Sequence, residues 1–166
     1  NSDAKVLVTA AQSARRFEEI KDRLATCRHL LLTEVNEGPL SMKKAMEDGP
    51  FEFEASDASE DDPAVMIYTS GLTGKPLGAV LTHGNLISQS RLLADLFEGS
   101  QRDTGLSLIP LFHSFGAVAN MLNPILMGAC VVMLDAFSID SIFKAIETEK
   151  ITYMTAVPRV YLGMLL

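Results

Sequence analysis

Seven short, largely apolar runs recur along the chain, at residues 5–9, 30–33, 64–68, 78–81, 104–109, 130–134 and 151–156. Runs such as CVVML at 130–134 have no polar face, so each must be covered on both sides, as in a parallel sheet sandwiched by helices. Helix-length stretches separate most of them. Residues 14–24 carry Phe17, Ile20 and Leu24 at helical spacing, and residues 85–97 carry Leu86, Leu93, Leu96 and Phe97, with Gly99 as a stop. Residues 115–127 are largely apolar and end at Gly128. Residues 138–150 start with Ser138 or Asp140 as a cap and present Ile142, Phe143 and Ile146. A last helix follows Val157-Pro158. This alternation predicts an α/β, layered fold with a mostly parallel sheet flanked by helices. One pair departs from it: residues 64–68 and 78–81 are separated by a long Gly- and Thr-rich loop and read as a hairpin.

The organisation is interrupted once. Residues 34–62 hold ten acids against Lys43 and Lys44, whereas the remainder is close to neutral within a net charge of −7. Like charges at this density resist compaction, so residues 34–63 read as an acidic connector, with a helical turn over 41–46. It separates a strand–helix–strand unit at 1–33 from the α/β part at 64–166. There is no basic stripe to neutralise a phosphate backbone, which argues against a nucleic-acid partner. No apolar run reaches the roughly 18 residues needed to span a bilayer. Cys27 and Cys130 lack metal-ligand spacing and are expected to be free, mostly buried thiols of a cytoplasmic protein; membrane association of a longer parent stays open.

The chemistry concentrates in Tyr68-Thr69-Ser70-Gly71-Leu72-Thr73-Gly74-Lys75-Pro76-Leu77-Gly78, directly after an apolar strand. Glycines let backbone N–H groups approach an anion, hydroxyls add neutral donors, and Lys75 adds a positive charge. The combination suits a clamp on a polyphosphate. It is not a Walker loop, since Gly71 and Gly74 are too close and Pro76 replaces the metal-binding hydroxyl; nor does it fit G-x-G-x-x-G. On composition alone, a plain Gly/Thr-rich hairpin loop is equally admissible.

Together with Leu81-Thr82-His83-Gly84-Asn85, and with Ile109-Pro110-Leu111-Phe112-His113-Ser114-Phe115-Gly116, this loop resembles the signature of the adenylate-forming superfamily. That superfamily contains acyl-CoA synthetases, peptide-synthetase adenylation domains and luciferases, and the wording PLFHSFG is most similar to fatty acid–CoA ligases. The resemblance implies a two-step reaction. A fatty acid carboxylate is activated by ATP and Mg2+ as an acyl-adenylate, and the acyl group passes to coenzyme A or to an acyl carrier protein. It further implies that Thr69, Ser70, Gly71, Thr73, Gly74 and Lys75 hold the β- and γ-phosphates and that His113 lies beside the acyl-adenylate as the catalytic candidate. His83 reads as structural. No residue of this chain is assigned to metal.

Two positions depart from the family pattern. Leu72 stands where a hydroxyl is usual and Leu77 where a lysine is usual. A lost charge-assisted hydrogen bond costs about 1.5–3 kcal/mol, a factor of roughly 10 to 100 in ATP affinity or rate. The superfamily's Tyr-Gly-x-Thr-Glu and Tyr-x-x-Gly-Asp motifs and its small C-terminal domain are missing from these residues. The chain therefore reads as an internal fragment of the N-terminal domain, inactive alone and prone to self-association at the apolar stretch 161–166. Two other readings stay open: a non-catalytic nucleotide- or protein-binding module of the same fold, and a peptide-synthetase adenylation or luciferase-like domain.

Overall fold

A computed structural model describes residues 2–50, 52–71 and 74–166. The chain divides into two compact units, Asn1–Asp57 and Ala58–Leu166.

In the first unit, β1 (Val6–Thr9) runs parallel to β2 (His29–Leu32), in register from Val6 opposite His29 to Thr9 opposite Leu32. The crossover is α1 (Ala11–Ile20), tightened at its end into a 3₁₀ turn over Lys21–Arg23. Phe17 packs on Leu30 and Leu32, with Leu24 and Cys27 against them. Ile20, expected on the same stripe, is exposed, because the regular helix ends there and the tighter turn redirects its face. The acidic stretch is not uniformly extended. Ser41, only 1% exposed, bridges to Leu32 and caps α2 (Met42–Glu47), its Oγ accepting from Lys44 N at 3.0 Å. Residues 52–59 then run without regular structure.

The second unit begins with an antiparallel hairpin of β3 (Pro63–Thr69) and β4 (Leu77–Thr82), bulged between Pro63 and Val65. After α3 (His83–Leu96) comes a three-stranded parallel sheet. Its centre is β5 (Thr104–Ser107), flanked by β6 (Cys130–Met133) and β7 (Tyr153–Thr155), giving the order β6-β5-β7. Leu106, Val132 and Met154 face α5 (Ile139–Thr148) and α6 (Pro158–Met164), where Ile142 is 0% and Leu106 2% exposed. Ile142 shares that core with Ala145 and Ile146, whereas Phe143 is exposed, so the buried stripe is shifted from the expected one.

The apolar stretch ahead of β6 is helical, but not simply α. Gly116–Leu122 is a π-helix, with Asn123 N bonding Val118 O five residues back, and it continues into α4 (Asn123–Met127). Gly128, at φ 69°, terminates it. Both cysteines are free. The expectation that they are mostly buried fails for Cys130, which is exposed as the first residue of edge strand β6.

Candidate functional site

The Gly/Thr-rich loop closes the β3–β4 hairpin. Pairing persists to Thr69 opposite Leu77, and the Thr69 hydroxyl donates across to the Leu77 carbonyl at 3.5 Å. Beyond that rung, Gly71 and Gly74 both adopt positive φ, 62° and 73°. A Cβ on Gly71 would stand 2.5 Å from the Lys75 carbonyl oxygen, so the loop folds back where a side chain cannot fit. Ser70, Gly74 and Lys75 are exposed, and among the described residues Lys75 has no ion-pair partner. Leu72 and Thr73 lie outside the described residues, so the expected Thr73 donor and the Leu72 departure have no described geometry.

β4 leads directly into α3. Thr82 caps it: Thr82 Oγ1 accepts from Asn85 N at 3.2 Å, and Asn85 Oδ1 accepts from Thr82 N at 3.1 Å. The backbone N–H groups of His83 and Gly84 donate to the Asp62 and Glu60 carbonyls at 3.1 and 2.8 Å. The Leu81–Asn85 stretch thus anchors the helix start to the turn before β3. His83 lines an apolar crevice with Leu86, Leu122 and Ile125.

His113 sits in the turn between β5 and the π-helix. Its N–H donates to the Pro110 carbonyl at 3.0 Å and its carbonyl accepts from Ala117 N at 2.9 Å. Its ring Nδ1 accepts from Phe115 N at 3.1 Å. Nδ1 therefore holds a lone pair, and a neutral ring carries its proton on Nε2. The side chain is exposed. Gly116 permits the tight turn, since a Cβ there would lie 2.3 Å from the Pro110 oxygen. Among the described residues no hydrogen bond or ion pair joins Thr69, Ser70 or Lys75 to His113. Each half is fixed by its own scaffold.

One residue escaped the sequence reading. Asn120 is the one amide of the Gly116–Leu122 π-helix and only 4% exposed; Asn123, three residues on and 3% exposed, donates its Nδ2 to the Ser90 carbonyl at 2.9 Å. In the orientation that satisfies the neighbours of Asn120, its Oδ1 accepts from Leu108 N at 2.9 Å and Ile109 N at 3.2 Å, and its Nδ2 donates to Thr155 Oγ1 at 2.6 Å. The available signal was a pair of amides, Asn120 and Asn123, within a mostly apolar run.

The opposite end of β5 has a different electrostatic character. The Asp103 carboxylate accepts from Ser100 N at 2.8 Å, Thr152 Oγ1 at 2.9 Å and Ser100 Oγ at 3.0 Å. These bonds, the Ser100 backbone first, hold its carboxyl below its ordinary range. Burial, and then the Asp103 charge, push the Tyr153 phenol up. Among the described residues no three His, Cys, Asp or Glu side chains gather to hold a metal.

The hairpin loop, the capped helix after it and the histidine turn beyond β5 are the site elements of a chain that the family match assigns to the adenylate-forming class of α/β proteins. The match to the AMP-binding enzyme family extends over residues 1–166, and the chain belongs to that family. A malonate–CoA ligase of Arabidopsis thaliana is 31% identical over 97% of this chain, and an indoleacetate–CoA ligase of Aromatoleum aromaticum is 44% identical over 58%. The chain spans only 28% and 19% of those two proteins. ATP-bound MatB from Rhodopseudomonas palustris, at 26% identity, superposes with a TM-score of 0.84 over 99% of this chain and 32% of that structure. Its apo form, at 24% identity, gives 0.87 and speaks to the fold.

Proposed function

We propose that this chain supplies the ATP-phosphate grip of an AMP-forming acid–CoA ligase. In the parent protein a carboxylate oxygen attacks the α-phosphorus of ATP, the bond to the β,γ-diphosphate breaks, and an acyl-adenylate and pyrophosphate result. The thiol of coenzyme A, or of a carrier-protein pantetheine, then takes the acyl group and releases AMP. Thr69, Ser70, Gly71, Thr73, Gly74 and Lys75 hold the departing diphosphate. Their part is electrostatic: donors and one cation placed where charge accumulates. His113 offers Nε2–H beside the acyl-adenylate as a neutral hydrogen-bond donor, because Nδ1 is already engaged.

The observation that carries this reading is the paired left-handed conformation of Gly71 and Gly74 in the loop that presents Lys75. A medium- or long-chain fatty acid is the proposed substrate, on the wording of residues 110–116. Relatives named for malonate, indoleacetate and long-chain fatty acids support an acid–CoA ligase more broadly than any single acid. Leu77, 59% exposed at the end of the loop, favours a second reading: a nucleotide-binding module without chemistry.

The test is an ATP titration of the 166-residue chain followed by NMR. Binding moves the Gly74 and Lys75 amide resonances, and Lys75→Ala removes the response. The chain alone releases no pyrophosphate with ATP and fatty acid; release would overturn its assignment as an incomplete site. Thioester formation by the parent on dodecanoate against malonate decides the acid, and ATP binding without pyrophosphate release by the parent favours the module.

A further inference from the structure

We infer that Asn120 is a positioning residue: its buried amide locks the turn that presents His113 to the end of β7. This rests on the proposed role of His113 in the site. An amide inside an apolar helix is costly unless its groups are bonded, and here donor and acceptor are both engaged. The partners are informative. Leu108 and Ile109 follow Ser107, the last β5 residue paired to β6 and β7. Their N–H groups have left the strand ladder, and the Asn120 oxygen accepts both. The amide nitrogen meanwhile ties to Thr155, the last residue of β7.

From that point the chain to His113 is short and rigid. Ile109 continues into Pro110, whose carbonyl accepts from His113 N. The carbonyls of Ile109 and Pro110 are pressed against Gly116, where an added Cβ would meet them at 2.7 and 2.3 Å. Gly116 to Asn120 are five consecutive buried residues, all within the π-helix. Such widened turns are frequent at functional sites, where they aim a side chain that a regular helix would turn elsewhere. A leucine at position 120 would fill the space but leave the Leu108 and Ile109 N–H groups without this acceptor.

The experiment uses the 166-residue chain, read by amide hydrogen exchange and by ring nitrogen shifts of His113. In Asn120→Ala, exchange at Leu108 and Ile109 rises about tenfold more than at Leu106, the loss of one net hydrogen bond. His113 passes from a single Nε2–H tautomer to a mixture. Asn120→Asp keeps an acceptor for both N–H groups, and the Thr155 hydroxyl can turn to donate to it, so it restores both readouts. A uniform rise in exchange with an unchanged His113 tautomer in Asn120→Ala would reduce Asn120 to a stabilising residue and overturn the inference. Should Asn120→Ala fail to fold, Thr155→Val decides. By freeing the amide it raises exchange at Leu108 and Ile109 above that at Leu106 and loosens the tautomer; no local change there overturns the inference. None of these readouts needs nucleotide. An ATP titration that moves Gly74 and Lys75 but leaves His113 untouched would refute the site role of His113, not the lock by Asn120.

Discussion

The β3–β4 hairpin and the β6-β5-β7 sheet belong to one compact unit yet solve opposite problems. The hairpin has the longer strands, but Val65, Met66, Tyr68, Leu77 and Val80 are all exposed. The sheet has strands of three or four residues, yet it buries Leu106 under Ile142, Ala145 and Val160. One is held by its ladder and presents a loop; the other is held by side-chain packing and carries the histidine turn. Stability and ligand binding should therefore respond to different residues.

The largest expected effect is in the sheet. Ile142→Ala should lower the unfolding free energy by about 2–5 kcal/mol, measured by denaturant titration, whereas Val80→Ala on the hairpin should change it by no more than about 0.5 kcal/mol. A large loss from Val80→Ala would break the comparison. Lys75→Ala reverses the pattern: ATP affinity falls by about 10- to 100-fold in the titration while the denaturation midpoint stays put. Leu77→Lys should sharpen the contrast, tightening ATP binding by up to about tenfold at no cost in stability, because the side chain it replaces is already exposed.

The smallest effect concerns pH. Hydrogen bonds from Ser100 and Thr152 depress the folded-state ionisation of Asp103. Its contribution to stability is thus complete above the ordinary value of 3.8 and is lost as pH falls through the lower folded value. Asp103→Asn should flatten that acid limb of the stability curve and leave ATP binding unchanged, since Asp103 lies at the end of β5 away from His113.

Much of the architecture was legible in residue order. The alternation of apolar runs with helical stretches gave the α/β layering and the hairpin, because each rests on local periodicity and turn chemistry. The sheet order was not legible: β5 sits between β6 and β7, and that placement depends on long-range packing. Nor was the exposure of Cys130, which follows from its place at the start of an edge strand. Of the candidate site, the loop and His113 were readable as motifs, whereas Asn120 was not. An amide in a mostly apolar run has no periodicity to mark its direction, and its three partners come from residues 108, 109 and 155.

The π-helix also bears on how this chain can vary in length. Bonding five residues back instead of four accommodates one residue more than a regular turn. Deleting Val118 would let the segment relax to ordinary geometry and extend cleanly into α4. Because the wide turn already carries that extra residue, the segments on either side would turn by far less than the about 100° that a deletion imposes on a regular helix. Asn120 and Gly116 would stay on one side, so this segment absorbs a one-residue deletion that α3 or α5 would not.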